Sequence, residues 1–138
     1  KALEISHPNR AYSYLFNLKN GKKILYATDF EISLKDFEDT DENKNFFSNT
    51  DIMIIDSQYT APEYYVKEHW GHSPYCYSVD FGHHYNCKNL YLFHHDPIHD
   101  DNELYEILDK AKTYSKKYLK SKMNIFLAKE GNKIDLGD

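Results

Sequence analysis

The sequence predicts an α/β domain built on a mixed β-sheet covered by helices, and three observations carry that prediction. Ile24-Leu25-Tyr26-Ala27, Ile52-Met53-Ile54-Ile55 and Leu90-Tyr91-Leu92-Phe93 are short, continuous apolar runs, the pattern of strands covered on both faces. Asn20-Gly21 is a two-residue hairpin signal between residues 11–18, which alternate loosely, and the returning run 22–28. A long helical stripe follows the third run: Leu104, Ile107, Leu108, Ala111, Tyr114 and Tyr118 recur at spacings of three and four.

The elements follow in order. Residues 33–50 are polar and acidic with scattered Phe37, Phe46 and Phe47, an irregular or partly helical excursion. Thr60-Ala61-Pro62-Glu63 has the spacing of a capping box with Pro in the first turn, so a short helix is expected over 61–68. Ser73-Pro74 repeats the device, with Ser as cap and a second helix over 75–84 that ends near Asn86. Asp100 or Asp101 caps the long helix. Residues 124–128 and 134–136, around Glu130-Gly131-Asn132, read as a closing hairpin or strand and turn.

Composition narrows the function classes. At 138 residues and 41% hydrophobic, the chain supports a single globular domain. No apolar run approaches the ~20 residues of a membrane span, and the amino terminus lacks signal-peptide character, so a cytoplasmic protein is expected. Cys76 and Cys87 form no metal-type pair and are expected to be reduced. The net charge of −5, with acids scattered, argues against a broad nucleic-acid-binding face and favours small or locally docked substrates. Lys1 is the first residue and Met53 the first methionine, so a piece of a longer protein is expected.

The chemistry collects at strand ends. The three apolar runs finish in Asp29, Asp56 and His94, and His72 stands just ahead of a helix amino terminus. In open sheets covered by helices the carboxyl ends of strands share one edge, where sites are built. The run His94-His95-Asp96-Pro97-Ile98-His99 sets three consecutive ionisable groups after a buried strand, which does little for stability and suits a metal. Imidazole and carboxylate are natural ligands of zinc or manganese, and one aspartate can bridge two ions. His69, His83 and His84 are read as surface or hydrogen-bonded groups.

Ile5-Ser6-His7-Pro8 with Tyr12-Ser13-Tyr14, then Tyr26-Ala27-Thr28-Asp29-Phe30-Glu31, Trp70-Gly71-His72-Ser73, Leu92-Phe93-His94-His95-Asp96-Pro97 and Leu127-Ala128-Lys129-Glu130-Gly131 together resemble a metallo-β-lactamase-fold hydrolase. The branch they resemble is the phosphodiesterase-like one related to tRNA-processing ribonuclease Z. The resemblance spans nearly the whole chain and implies the carboxy-terminal half of an αββα sandwich. It implies two divalent ions, zinc foremost and manganese or iron as alternatives. His7 would ligate the first metal, Asp29 would bridge both, and His94 would ligate the second. His72 would face the scissile phosphate with Asp56 as its acidic partner, and His95 and Asp96 would support the ligands or face substrate, with His99 a bystander. Two positions depart from the pattern: Ser13 replaces the usual Gly, and Pro74 the usual Thr after His-Ser.

The family's His-x-His-x-Asp-His signature is absent from all 138 residues. The expectation is therefore a phosphodiesterase whose remaining ligands lie on an absent amino-terminal half, with this chain inactive alone. The alternative is a non-catalytic fragment or binding module that keeps the scaffold and at most one metal. Either way an isolated half exposes a sheet face, which predicts association with the missing half, strand exchange or a homodimer. The expected substrate is a small-molecule or nucleotide phosphodiester, without membrane partners.

Overall fold

A computed structural model describes residues 1–136. Six strands form one sheet whose spatial order is the chain order: β1 (Ala2–Ile5), β2 (Ala11–Asn17), β3 (Lys23–Ala27), β4 (Ile52–Asp56), β5 (Asn89–Phe93) and β6 (Asn124–Leu127). The first two pairings are antiparallel and the remaining three parallel, so the sheet is mixed. A 3-10 turn (Leu34–Phe37) and α1 (Asp41–Phe47) connect β3 to β4; α2 (Ala61–Lys67) and α3 (Tyr75–His84) connect β4 to β5; α4 (Asp101–Tyr114) connects β5 to β6.

Each parallel strand joins the same growing edge, and crossovers of one hand then lay α1, α3 and α4 over one face of the sheet. Burial records this. Leu25, Ala27, Met53, Ile55, Leu90 and Leu92 point to the helices and are fully buried, around a cluster of Phe30, Phe47, Phe81 and Tyr85. Phe81 meets Phe47 and Phe30 edge-on, with ring centroids 4.9 and 5.5 Å apart. Burying each such side chain contributes about 1.5–3 kcal/mol.

The opposite face differs from the expectation of strands covered on both sides. Tyr14, Tyr26, Ile54, Tyr91 and Phe126 pair in register across five neighbouring strands, and Tyr14 and Phe126 keep 45% and 39% of their surface exposed. The continuous apolar runs arise because this face is itself apolar, aromatic at Tyr14, Tyr26, Tyr91 and Phe126 and aliphatic at Ile24 and Ile54.

Four further differences have local causes. The amino-terminal strand β1 is not foreseen from its sequence; it is a four-residue edge strand held by pairing with β2. Ser73 does not cap α3, because its hydroxyl donates to Phe30 O at 2.6 Å and accepts from Ile32 N–H at 2.9 Å, a tertiary bridge that outcompetes the local cap. Thr60 and Asp100 do begin α2 and α4 with capping boxes. The stripe of α4 ends early: residues Ser115–Leu119 form a π-helical turn that shifts the register, and Tyr118 is left exposed. The last strand pairs parallel to β5 and residues 134–136 form no strand, so of the two expected forms the strand followed by a turn at Glu130-Gly131 exists and the closing hairpin does not.

Among the described residues no helix is long and apolar enough to cross a membrane. Cys76 and Cys87 are unpaired, and burial pushes the Cys87 thiol up to about 11, far from a thiolate at neutral pH.

Candidate metal centre

The carboxyl edge of the sheet gathers His7, Asp29, Asp56, His72 and His94. The turns after β3 and β5 bring two of them inward through left-handed backbone, with φ of +54° at Asp29 and +59° at His94. Non-glycine residues hold that conformation at a cost of about 1–3 kcal/mol, and such residues cluster at functional sites. His7 arrives from the turn between β1 and β2, His72 from the loop between α2 and α3.

Asp29 Oδ1 stands between two imidazoles, 3.9 Å from His7 Nε2 and 3.8 Å from His94 Nε2. Both distances are too long for a hydrogen bond, and the half-exposed Asp29 carboxylate has no hydrogen-bond partner among the described residues. Asp56 is its opposite. Completely buried, it accepts from Ser73 N–H at 3.0 Å and Gln58 N–H at 3.3 Å on Oδ1, and from Phe30 N–H at 3.4 Å and His72 Nδ1 at 2.8 Å on Oδ2.

The Asp56 bond fixes the His72 ring and leaves its Nε2 outward. Burial alone would lower the His72 proton affinity, but the hydrogen bond and charge of Asp56, with the charges of Asp29 and Glu31, raise its pKa above the ordinary value. His72 stacks on His94 with centroids 4.9 Å apart at 18°, and meets His7 edge-on at 5.6 Å.

Two sets of donors lie within 4.8 Å of one another: His7, Asp29 and His72, and Asp56, His72 and His94. The second set is the weaker candidate, since Asp56 and His72 already satisfy each other. The residues fit a divalent ion by one observation: a carboxylate without hydrogen bonds, flanked by two imidazole nitrogens. One adjustment is required. Asn9 N–H donates to His7 Nδ1 at 3.1 Å, which makes Nε2 the protonated nitrogen of the neutral ring, so ligation through Nε2 moves that proton.

His95 and Asp96 lie apart from this group. Burial lowers the His95 proton affinity, outweighing the backbone of Leu92 and Ser57, and both ring nitrogens are enclosed. Asp96 pairs with Lys67 Nζ at 2.7 Å and accepts from Ile98 N–H at 3.1 Å, anchoring the 94–99 turn to α2. His99 is buried against Glu63, 2.9 Å away, and likewise ties this turn to α2. Sequence reasoning did not single out Glu31, whose carboxylate receives two donors from the loop that carries His72 and a third from the Tyr64 hydroxyl of α2. Its only sequence signal was its place two residues after Asp29.

No protein-family model matches the sequence, and no curated protein matches it. Solved structures do. The metallo-β-lactamase fold protein YhfI from Bacillus subtilis superposes with a TM-score of 0.68 at 16% identity, over 95% of this chain and 46% of that one. Human tRNase Z, short form, superposes with a TM-score of 0.65 at 14% identity, over 99% of this chain and 42% of its own. The chain thus has the α/β architecture of a metallo-β-lactamase fold and spans less than half the length of these two proteins.

Proposed function

We propose that the chain forms part of a metal-dependent hydrolase acting on a phosphodiester, with the carboxyl edge of the sheet as its site. One observation carries the reading: His7 and His94 turn Nε2 towards the same oxygen of Asp29 from two sides, beside a hydrogen-bonded Asp56–His72 pair. His7, Asp29 and His94 would hold two divalent ions, zinc first and manganese or iron next, with Asp29 shared. The other ligands would come from an amino-terminal segment bearing His-x-His-x-Asp-His. Bound there, the ions supply Lewis acidity and a water acidified towards neutrality.

The chain's own residues supply the rest. Asp56 holds His72 Nδ1 and favours the imidazolium, so Nε2 can donate a proton to a leaving alkoxide or stabilise phosphate charge. Asp96, through Lys67, and the enclosed His95 support the turn that carries His94. That one of the similar structures is a tRNase agrees with a phosphodiester substrate, small-molecule or nucleotide. The apolar row from Tyr14 to Phe126 supports a further layer against the open face, the missing amino-terminal half first and a second copy of this chain next.

Metal analysis and turnover of bis(4-nitrophenyl) phosphate test the reading. About two ions per complete protein and chelator-sensitive turnover are expected; a complete protein that binds no ion sinks it. Within it, His72→Ala is expected to lower turnover by about 100-fold or more at unchanged metal content. Equal loss of both would remove His72 from the reaction. The second reading, a non-catalytic module with at most one metal, is favoured by the absence of the signature from these 138 residues.

A further inference from the structure

We propose that Glu31 is the positioning residue for His7, acting through the backbone of Gly71; the assignment rests on the reading of His7 as a ligand. Glu31 closes a ring of contacts around that histidine. Its own N–H donates to Ser6 O at 2.9 Å, next to His7 in the chain. Its carboxylate accepts from Gly71 N–H at 2.9 Å on Oε2, and from His69 N–H at 2.6 Å and the Tyr64 hydroxyl at 3.0 Å on Oε1. Three donors on two oxygens commit this carboxylate to the loop and to α2, which precedes it.

The loop then acts on His7 by contact. Gly71 has φ of +96°, and a Cβ placed on it would lie 2.3 Å from His7 Cδ2, 2.6 Å from Nε2 and 2.8 Å from Pro8 Cδ. Only a bare α-carbon can stand there, and it forms a wall against the edge of the ring that carries Nε2. Glu31 sets the position of that wall by holding Gly71 N–H, and sets the base of His7 by holding Ser6 O. The Asp56–His72 pair needs no such help, because Ser73, Gln58 and Phe30 anchor Asp56 independently. Glu31 therefore positions His7 without holding the Asp56–His72 pair, which feels only its charge.

Imidazole 1H–15N correlation spectra of the protein, recorded without metal, test this directly. His7 in the parent chain is expected to show one tautomer, protonated at Nε2. In Glu31→Gln the His7 signals are expected to move towards averaged values, while His72 keeps its hydrogen-bonded Nδ1–H. Gly71→Ala, which retains Glu31, is expected to displace His7 more strongly, so the inference stays testable if Glu31→Gln fails to fold. Tyr64→Phe, which removes one donor and spares Gly71, is expected to leave His7 in place. Zinc titration should weaken by roughly 10–100-fold in Glu31→Gln. Unchanged His7 signals in Gly71→Ala, or parallel loss of the His7 and His72 signals in Glu31→Gln, would overturn the assignment. The spectra require neither ion nor substrate, so a complete protein without metal would sink the hydrolase reading and leave their outcome standing.

Discussion

The ends of β3 and β4 carry the same side chain in opposite circumstances. Asp56 is fully buried with three backbone donors and an imidazole on its oxygens; Asp29 is 43% exposed on a left-handed turn and has two imidazoles beyond hydrogen-bond range. A carboxylate whose lone pairs are filled organises structure, and one whose lone pairs are open is available to a ligand. The contrast separates the edge into a hydrogen-bonded scaffold and an open carboxylate, and it can be broken by mutation.

The largest effect is expected at the scaffold. Asp56→Ala strands three N–H groups and the His72 ring in a buried site, so urea unfolding should show a loss of about 3–5 kcal/mol. Asp96 belongs on the same side of the comparison. Burial would raise its pKa, but the Lys67 ammonium and the Ile98 N–H hold it below the ordinary carboxylate range. A depressed folded-state pKa stabilises above the unfolded value and is lost as pH falls through the folded one. Stability should therefore drop by roughly 1–2 kcal/mol below about pH 4, and Lys67→Met should flatten that part of the pH profile.

Asp29 should behave in the other way. Asp29→Gly relieves a left-handed residue and removes no hydrogen bond, so thermal melting should show stability unchanged or raised by up to about 1 kcal/mol. A loss above 2 kcal/mol would mean that Asp29 is structural and erase the distinction. The smallest effect is expected at the open sheet face. Phe16→Lys, at a half-exposed position, should alter stability by under about 0.5 kcal/mol, whereas sedimentation should report less self-association if that face is sticky.

Much of this edge was legible because its causes are local. Apolar runs closing in Asp29, Asp56 and His94 mark strand ends, and the spacing of Thr60 and Glu63 marks a helix start. What escaped depends on partners far along the chain. Glu31 receives donors 33 to 40 residues away, Asp96 meets Lys67 29 residues away, and Ser73 leaves its cap for Phe30, 43 residues away. Edge strand β1 has no pattern of its own beyond four residues, and β6 borrows its direction from β5. Nor does a sequence announce that Asp29 and His94 adopt positive φ, since neighbouring packing imposes it.

The agreement between strand order and chain order has a consequence for assembly. Each strand finds its template already present when it leaves the ribosome, so the sheet can be extended in one direction without waiting for a distant segment. The histidines arrive on different schedules: His7 with the first hairpin, His72 only after β4, His94 at the end of β5. A nascent chain halted before residue 94 would thus present most of the sheet with His94 still missing from its carboxyl edge.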